Sequence, residues 1–224
     1  SLKSYEEGKA IAVKLGDKKG INKYLYNIGN VYLNTGDYQK AKENFNESLK
    51  INKKENDSLG MFSNLNSIAS VYYEQGNYPL SLNYFNQSLY VAQKIKDSIG
   101  IFRSYNNIGN VYRLQGLKDK ALLYYNKALA IRAASFNVKN ITALKNNIAG
   151  IFYDKNDFKS AEKYYLESIV LSKEIDDKVN LTTALNGLGF VYLGAKKHDK
   201  ALKYFEEARL ENALDYTSYD LLDS

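Results

Sequence analysis

Four carboxamides stand 40 residues apart in this chain, at Asn66, Asn106, Asn146 and Asn186, and Tyr26 fills the preceding place in the same register. An amide side chain donates and accepts, so it can pair with the backbone of an extended chain whatever that chain's side chains are. Each such bond contributes about 0.5–1.5 kcal/mol net. Four residues further on, the same step gives Asn30, Ser70, Asn110, Gly150 and Phe190. One turn later come Leu33, Tyr73, Arg113, Tyr153 and Leu193, and near the start of each unit Lys23, Ser63, Arg103, Ala143 and Thr183. Arg103 and Arg113 bracket Asn106 and Asn110, and a guanidinium suits a carboxylate through two parallel charge-assisted bonds. The chemistry available is therefore recognition of an acidic or carboxylate-ended segment centred on the second to fourth steps. The bland alternatives are amides that merely fix stacking and arginines that are merely solvated.

Catalysis has little to work with. Zero Cys removes thiolate nucleophiles, disulfides and Cys-based metal sites, and fits a reducing or an oxidising compartment alike. His198 is the single His; it takes the turn position of Tyr38 and Tyr78, which points to packing. Carboxylate pairs such as Glu6-Glu7 and Glu206-Glu207 are adjacent on helices and diverge, and Gly187-Leu188-Gly189 lies inside a helical run, not after a strand. No enzyme, cofactor or metal is expected. The net charge of +6 comes from 31 Lys and Arg against 25 Asp and Glu. Because these are interleaved, as in Lys40-Ala41-Lys42-Glu43, the basic excess reads as solvated helix faces and nucleic acid is disfavoured. Most of the 21 Tyr occupy repeat positions, including Tyr32, Tyr72, Tyr112 and Tyr192, and read as packing. No apolar run reaches membrane-spanning length.

The elements that must position these side chains follow from the same period. Asn27-Ile28-Gly29-Asn30-Val31-Tyr32 returns as Ser67 to Tyr72, Asn107 to Tyr112, Asn147 to Phe152 and Gly187 to Tyr192. A second run repeats Ala41, Ser81, Ala121, Ala161 and Ala201, each followed four residues later by Phe45, Phe85, Tyr125, Tyr165 and Phe205. Apolar residues fall at helical spacing in both runs, so each unit is two helices, A and B. The A helices are expected near 18–35, 58–75, 98–115, 138–155 and 178–195, and the B helices near 37–54, 78–95, 118–134, 157–175 and 197–213. Asp17, Asp57, Asp97, Asn137, Asp177 and Thr217 share one register as N-cappers of A helices. Turns such as Gly36-Asp37 and Asn156-Asp157 end helix A and cap helix B. A Gly or Ala always stands at the position of Gly29, allowing close helix approach. Residues 5–16 align with the end of a helix B and 217–224 with the opening of a helix A, giving five units with a fragment at each end. A chain starting at Ser1 rather than Met is expected to be an excised or processed piece.

These residues resemble the tetratricopeptide repeat: Ile28-Gly29 and Tyr32 in helix A, Gly36-Asp37-Tyr38 at the turn, then Ala41, Phe45 and Ser48-Leu49 in helix B. The aromatic residue usual near the start of helix A is Leu25, Leu65, Tyr105, Lys145 and Leu185 here, and the closing Pro is missing. The 40-residue form is similar to the repeats of kinesin light chain and of bacterial sensor proteins. The resemblance implies an all-α fold, a single array over 1–224 in a right-handed superhelix, with units near 18–54, 58–95, 98–134, 138–175 and 178–213. It also implies a non-catalytic scaffold, the sensory or adaptor part of a signalling protein, gripping an extended peptide in a concave groove. The candidate contacts are Tyr26, Asn30, Asn66, Tyr73, Arg103, Asn106, Asn110, Arg113, Asn146 and Asn186. Two other readings stand beside it. One is nucleic acid on the basic surface; the other is a second copy paired through uncapped ends near Ile11, Leu15 and Leu202. Cytoplasmic and periplasmic settings both fit.

Overall fold

The computed structural model describes residues 2–131 and 138–220, with side chains as far as 211. Among them are eleven α-helices and no strand. The chain divides into two compact units, 1–131 and 132–224, each taken by itself. The first holds α1 (Leu2–Leu15), α2 (Lys18–Asn34), α3 (Tyr38–Lys54), α4 (Ser58–Glu74), α5 (Tyr78–Lys94), α6 (Ser98–Leu114) and α7 (Lys118–Ala130). The second holds α8 (Val138–Asp154), α9 (Phe158–Glu174), α10 (Lys178–Gly194) and α11 (His198–Asp220). Within each unit a helix packs on its neighbours in sequence, and successive A helices touch as well: α2 with α4, α4 with α6, and α8 with α10. This is an all-α repeat array.

Local signals account for the boundaries. Asp17, Asp57 and Asp177 accept from the backbone N–H three residues on, at 3.0, 2.9 and 3.3 Å, and open α2, α4 and α10. Asp37, Asn77 and Asp157 do the same for α3, α5 and α9. Asp97 holds the same place without that bond, a departure from the expected capping. Asn137 lies outside the described residues. Two further departures are at helix ends: α7 stops at Ala130, short of the expected 134, and α11 runs unbroken through Thr217, where a new helix was expected. At the other junctions the residue before the capper turns into the left-handed region, as Gly16, Asn56, Lys96 and Asp176 do. Tyr216 occupies that place here, and a bulky aromatic residue rarely enters that region.

The core is a chain of similar clusters. In the first unit, Ala41, Phe45 and Leu49 of α3 close on Leu65, Ile68 and Val71 of α4; Phe85 and Leu89 of α5 close on Ile108 and Val111 of α6. The second unit repeats this with Tyr165 and Ile169 against Leu185, Leu188 and Val191. Inside each hairpin a ring enters a notch in helix A. A Cβ on Gly29 would stand 2.6 Å from Phe45, and one on Gly109 would stand 2.5 Å from Tyr125. The aromatic pairs foreseen as packing do pack: Tyr72 with Tyr84, Tyr112 with Tyr124, Phe152 with Tyr164 and Tyr192 with Tyr204, at 5.4–5.7 Å between ring centroids. His198 departs from expectation, because it is exposed at the first position of α11 and buries no ring.

Lys196 ends helix A of the last repeat with φ at 59°, where an L side chain costs roughly 1–2 kcal/mol. Replacing it with glycine, Lys196→Gly, should raise stability by about 1 kcal/mol. A urea unfolding midpoint that does not rise would show that the turn carries no such strain.

Candidate functional site

The A helices bring part of the expected set together. In the first unit, Asn66 on α4 accepts a bond from Asn107 Nδ2 on α6 at 3.0 Å, which ties consecutive A helices. Asn110 Oδ1, one turn along α6, accepts from the Tyr125 hydroxyl at 2.6 Å. Burial raises the pKa of Tyr73 and of Tyr125, and the nearby Arg113 guanidinium opposes that rise at both. Beside these groups is a hollow of about 150 Å³ bounded by Ser70, Tyr73, Glu74, Phe85, Asn107 and Asn110. It is small, and its lining mixes polar and aromatic side chains.

The remaining candidates spread along the same helices. Tyr26 is half-buried against Phe45, with ring centroids 5.7 Å apart, and its hydroxyl accepts from Ser67 at 3.4 Å. Asn30 and Asn106 are partly exposed on α2 and α6, and Arg103 is exposed on α6. Arg103 and Arg113 are ten residues apart on one helix, roughly 15 Å at 1.5 Å per residue. They do not form one clamp for one carboxylate. They can instead meet separate acidic groups of an extended segment, which covers that distance in about four or five residues.

The second unit corrects one expectation. Asn146 is buried, and its Nδ2 donates to the Asn180 carbonyl on α10 at 3.1 Å. Here the amide fixes the stacking of α8 on α10 and does not face solvent; its Oδ1 is buried without a partner among the described residues. The physical reason lies at the capped start of α10. Asn180 bonds the buried carboxylate of Asp177 at 2.6 Å, and Lys139 reaches that carboxylate at 3.7 Å. The start of α10 is thereby drawn against α8. Asn186 is half-buried on α10. The four amides belong to two units, and each pair is a local feature of its own.

Sequence reasoning missed Asn107, which looked like part of the recurring motif, and Tyr125, which looked like core alone. Tyr125 is core at its ring and polar at its hydroxyl. It also missed a cluster at the first B-to-A junction. Ser48 Oγ donates to Asn22 Oδ1 at 2.5 Å, Asn64 Nδ2 donates to Ser48 Oγ at 2.8 Å, and Asn22 bonds Asn52. The signal was present: Asn22 stands where Phe62 and Phe102 stand in the following repeats, and Asn52 where Ala12 and Ala92 stand. Lysines cover the aromatic pairs, for example Lys42 over Tyr72 at 5.3 Å and Lys127 over Tyr124 at 4.8 Å. The cationic excess is thus partly bound to the protein's own rings. No described helix is long and apolar enough to cross a membrane.

Comparison with known proteins agrees with the helical-repeat fold. The family model described as tetratricopeptide repeat matches residues 60–134 and 140–209, and a second model of the same description matches 23–55. The chain belongs to the tetratricopeptide repeat family, an α-solenoid scaffold of the protein-binding kind. Among solved structures it is similar to BtubC (BKLC) from P. vanneervenii, with 16% identity over 96% of this chain and 91% of that one and a TM-score of 0.82. It is similar to the apo quorum sensor NprR from B. thuringiensis, with 19% identity, 94% of this chain and a TM-score of 0.76. A Rap protein complexed with competence and sporulation factor matches at 20% identity over 86% of this chain, with a TM-score of 0.71. The chain spans 60% of the NprR chain and 54% of the Rap chain. Among curated proteins none matches the sequence.

Burial pushes the Tyr125 hydroxyl up to about 12, while Arg113 pulls the other way. The unfolded tyrosine ionises near 10, so the stability tied to this proton is complete below pH 10 and is lost as pH rises towards 12. Arg113→Ala should move Tyr125 still higher. Tyrosinate absorbance during alkaline titration checks this, and a late-ionising Tyr that moves down in the variant would contradict the contact.

Proposed function

We infer that this chain is a non-catalytic scaffold that holds an extended, acidic segment of a partner protein along the A-helix face of its first unit. The observation that carries the reading is the hollow at α4 and α6 lined by Ser70, Tyr73, Glu74, Phe85, Asn107 and Asn110; Asn66 bonds Asn107 and the Tyr125 hydroxyl bonds Asn110 next to it, and Arg113 is a close electrostatic neighbour of Tyr73 and Tyr125. Asn106 on α6 and Asn30 and Tyr26 on α2 are partly exposed, and the exposed Arg103 on α6 supplies a second cation. In the second unit Asn186 offers an amide; Asn146 is taken up by stacking and is not part of the surface. Likeness to a quorum sensor and to a Rap protein complexed with a signalling factor supports a sensory or adaptor role in a larger protein.

Amide pairing and phosphate binding differ in their salt dependence, because neutralising phosphates releases counterions and the affinity falls steeply with salt. Asn106→Ala with Asn110→Ala should weaken an acidic peptide selected from a library by about ten-fold, since two bonds of about 0.5–1.5 kcal/mol each are lost. Arg103→Ala with Arg113→Ala should weaken it and flatten its salt dependence. Unchanged affinity in both double variants, measured by fluorescence anisotropy, would remove the reading. Self-association is the second reading, favoured by the exposure of Ile11, Val13 and Leu15 on α1 and of Leu202 on α11. Light scattering that reports a monomer at every concentration would dismiss it.

A further inference from the structure

The second repeat is nearly uncharged. Between Ser58 and Gln93 the one charged residue is Glu74, in a chain that is 25% charged. The consequence falls on the outer face of α5, where Pro79, Asn83, Asn86, Gln87, Tyr90 and Gln93 are exposed. Tyr90 is 66% exposed, at the place that Lys50 holds in α3. A helix face turned to water is ordinarily charged, as α3 is with Glu43, Glu47, Lys50 and Lys53. Ionised side chains lose solvation when they are covered, and the outer face of α5 can be covered without that cost. Tyr enriched and charge depleted at the centre is the composition of a protein interface.

The polar groups of this face are complementary to themselves. Asn86 Nδ2 donates to the Leu82 carbonyl at 2.7 Å, and Gln87 Nε2 donates to Asn83 Oδ1 at 3.3 Å. The side-chain oxygens of Asn86 and Gln87 remain acceptors, and Asn83 Nδ2 remains a donor. Beside α5 lies α3: Lys42 of α3 stands 5.3 Å over Tyr72, the ring on which Tyr84 of α5 stacks. The exposed charges of α3 are divided along its length, with Glu43 and Glu47 in the first half and Lys50, Lys53 and Lys54 in the second. Lys40 and Lys42, also in the first half, are engaged, one with Asp37 at 2.9 Å and the other with the Tyr72 ring. The helix therefore presents an acidic half and a basic half. It complements its own antiparallel copy, whereas a parallel copy would set like charges against each other.

We propose that the outer faces of α3 and α5 are the contact of a homodimer, in which two copies meet antiparallel about a two-fold axis that crosses both helices. The axis lays α5 against α5 of the second copy, where Tyr90 covers the amides of its counterpart and no ion is buried. It lays α3 against α3, where Glu43 and Glu47 oppose Lys50 and Lys53 of the second copy. A two-fold contact uses the same patch on both partners and closes at two copies. The contact is distinct from pairing through the ends of the array, because Ile11, Leu15 and Leu202 take no part in it. It does not rest on the peptide reading either, whose residues lie on α2, α4, α6 and α10, and the dimer presents two such surfaces.

Sedimentation velocity on the whole chain over a concentration series should show a reversible equilibrium of monomer and dimer. Tyr90→Lys puts a charge at the centre of the α5 contact and should raise the dimer dissociation constant by about ten-fold or more. Its helical circular dichroism should not change, because the side chain is exposed. Charge reversal reports the orientation. Glu43→Lys with Glu47→Lys, and separately Lys50→Glu with Lys53→Glu, should each weaken the homodimer. An equimolar mixture of these two variants should form a heterodimer, because every opposed pair again carries opposite charges. Ile11→Asp with Leu15→Asp should leave the equilibrium unchanged. A chain that stays monomeric at every concentration, an undiminished dimer in Tyr90→Lys, a dimer lost only in Ile11→Asp with Leu15→Asp, or charge-reversed variants that do not rescue each other would overturn the contact.

Discussion

A ring in a notch holds each hairpin together. Phe45, Phe85, Tyr125 and Tyr165 are at most 7% exposed, and the helix they face carries Gly29, Ala69, Gly109 or Ala149. Burying one such ring contributes roughly 1.5–3 kcal/mol, but only if the facing helix comes close enough to enclose it. At Gly29 and Gly109 even a methyl would meet the ring itself. Everything else, from the register of the A helices to the spacing of their polar residues, follows from that approach being repeated every 40 residues.

On this frame the polar side chains divide by what lies behind them. Where the junction is apolar, as around Phe62 and Phe102, the amides of α4 and α6 pair along the A helices, Asn107 with Asn66, and Asn110 takes the Tyr125 hydroxyl. Where the junction is polar, amides are drawn inward: Asn146 is spent on the Asn180 carbonyl, and Asn22 bonds Asn52 and is linked through Ser48 to Asn64. Buried polar groups demand partners, so a change from Phe to Asn at one interior position redirects several neighbours. The family's repeat is thus able to make an apolar junction or a polar one from the same backbone.

Charge is arranged in the same economical way. Tyr192 donates to Glu162 at 2.6 Å, and burial together with that carboxylate raises its pKa. Lys145, which stands where the family usually places an aromatic residue, pairs with Glu167 and lies 5.7 Å over Tyr164. Its stem covers the ring and its ammonium is neutralised, so the position keeps its packing role with a charged residue.

The period, the helix type and nearly every boundary were legible in the residues, because capping, helical spacing and left-handed turns are local properties. Asp17, Asp57 and Asp177 act within four residues of themselves, and no distant contact is needed to make them cap. The far end of α11 escaped the pattern because Thr217 looks like a capper only if the residue before it can reverse the chain, and Tyr216 cannot. The sites were less legible. Spacing placed Asn66, Asn106, Asn146 and Asn186 in one register, but whether an amide faces out or in depends on residues 30 to 40 positions away that share its junction. Only the packed structure brought Asn180 to Asn146, Asn107 to Asn66 and Asn22 to Asn52. Orientation of a side chain is settled by its neighbours in space, and a sequence read along one dimension names candidates for those neighbours without choosing among them.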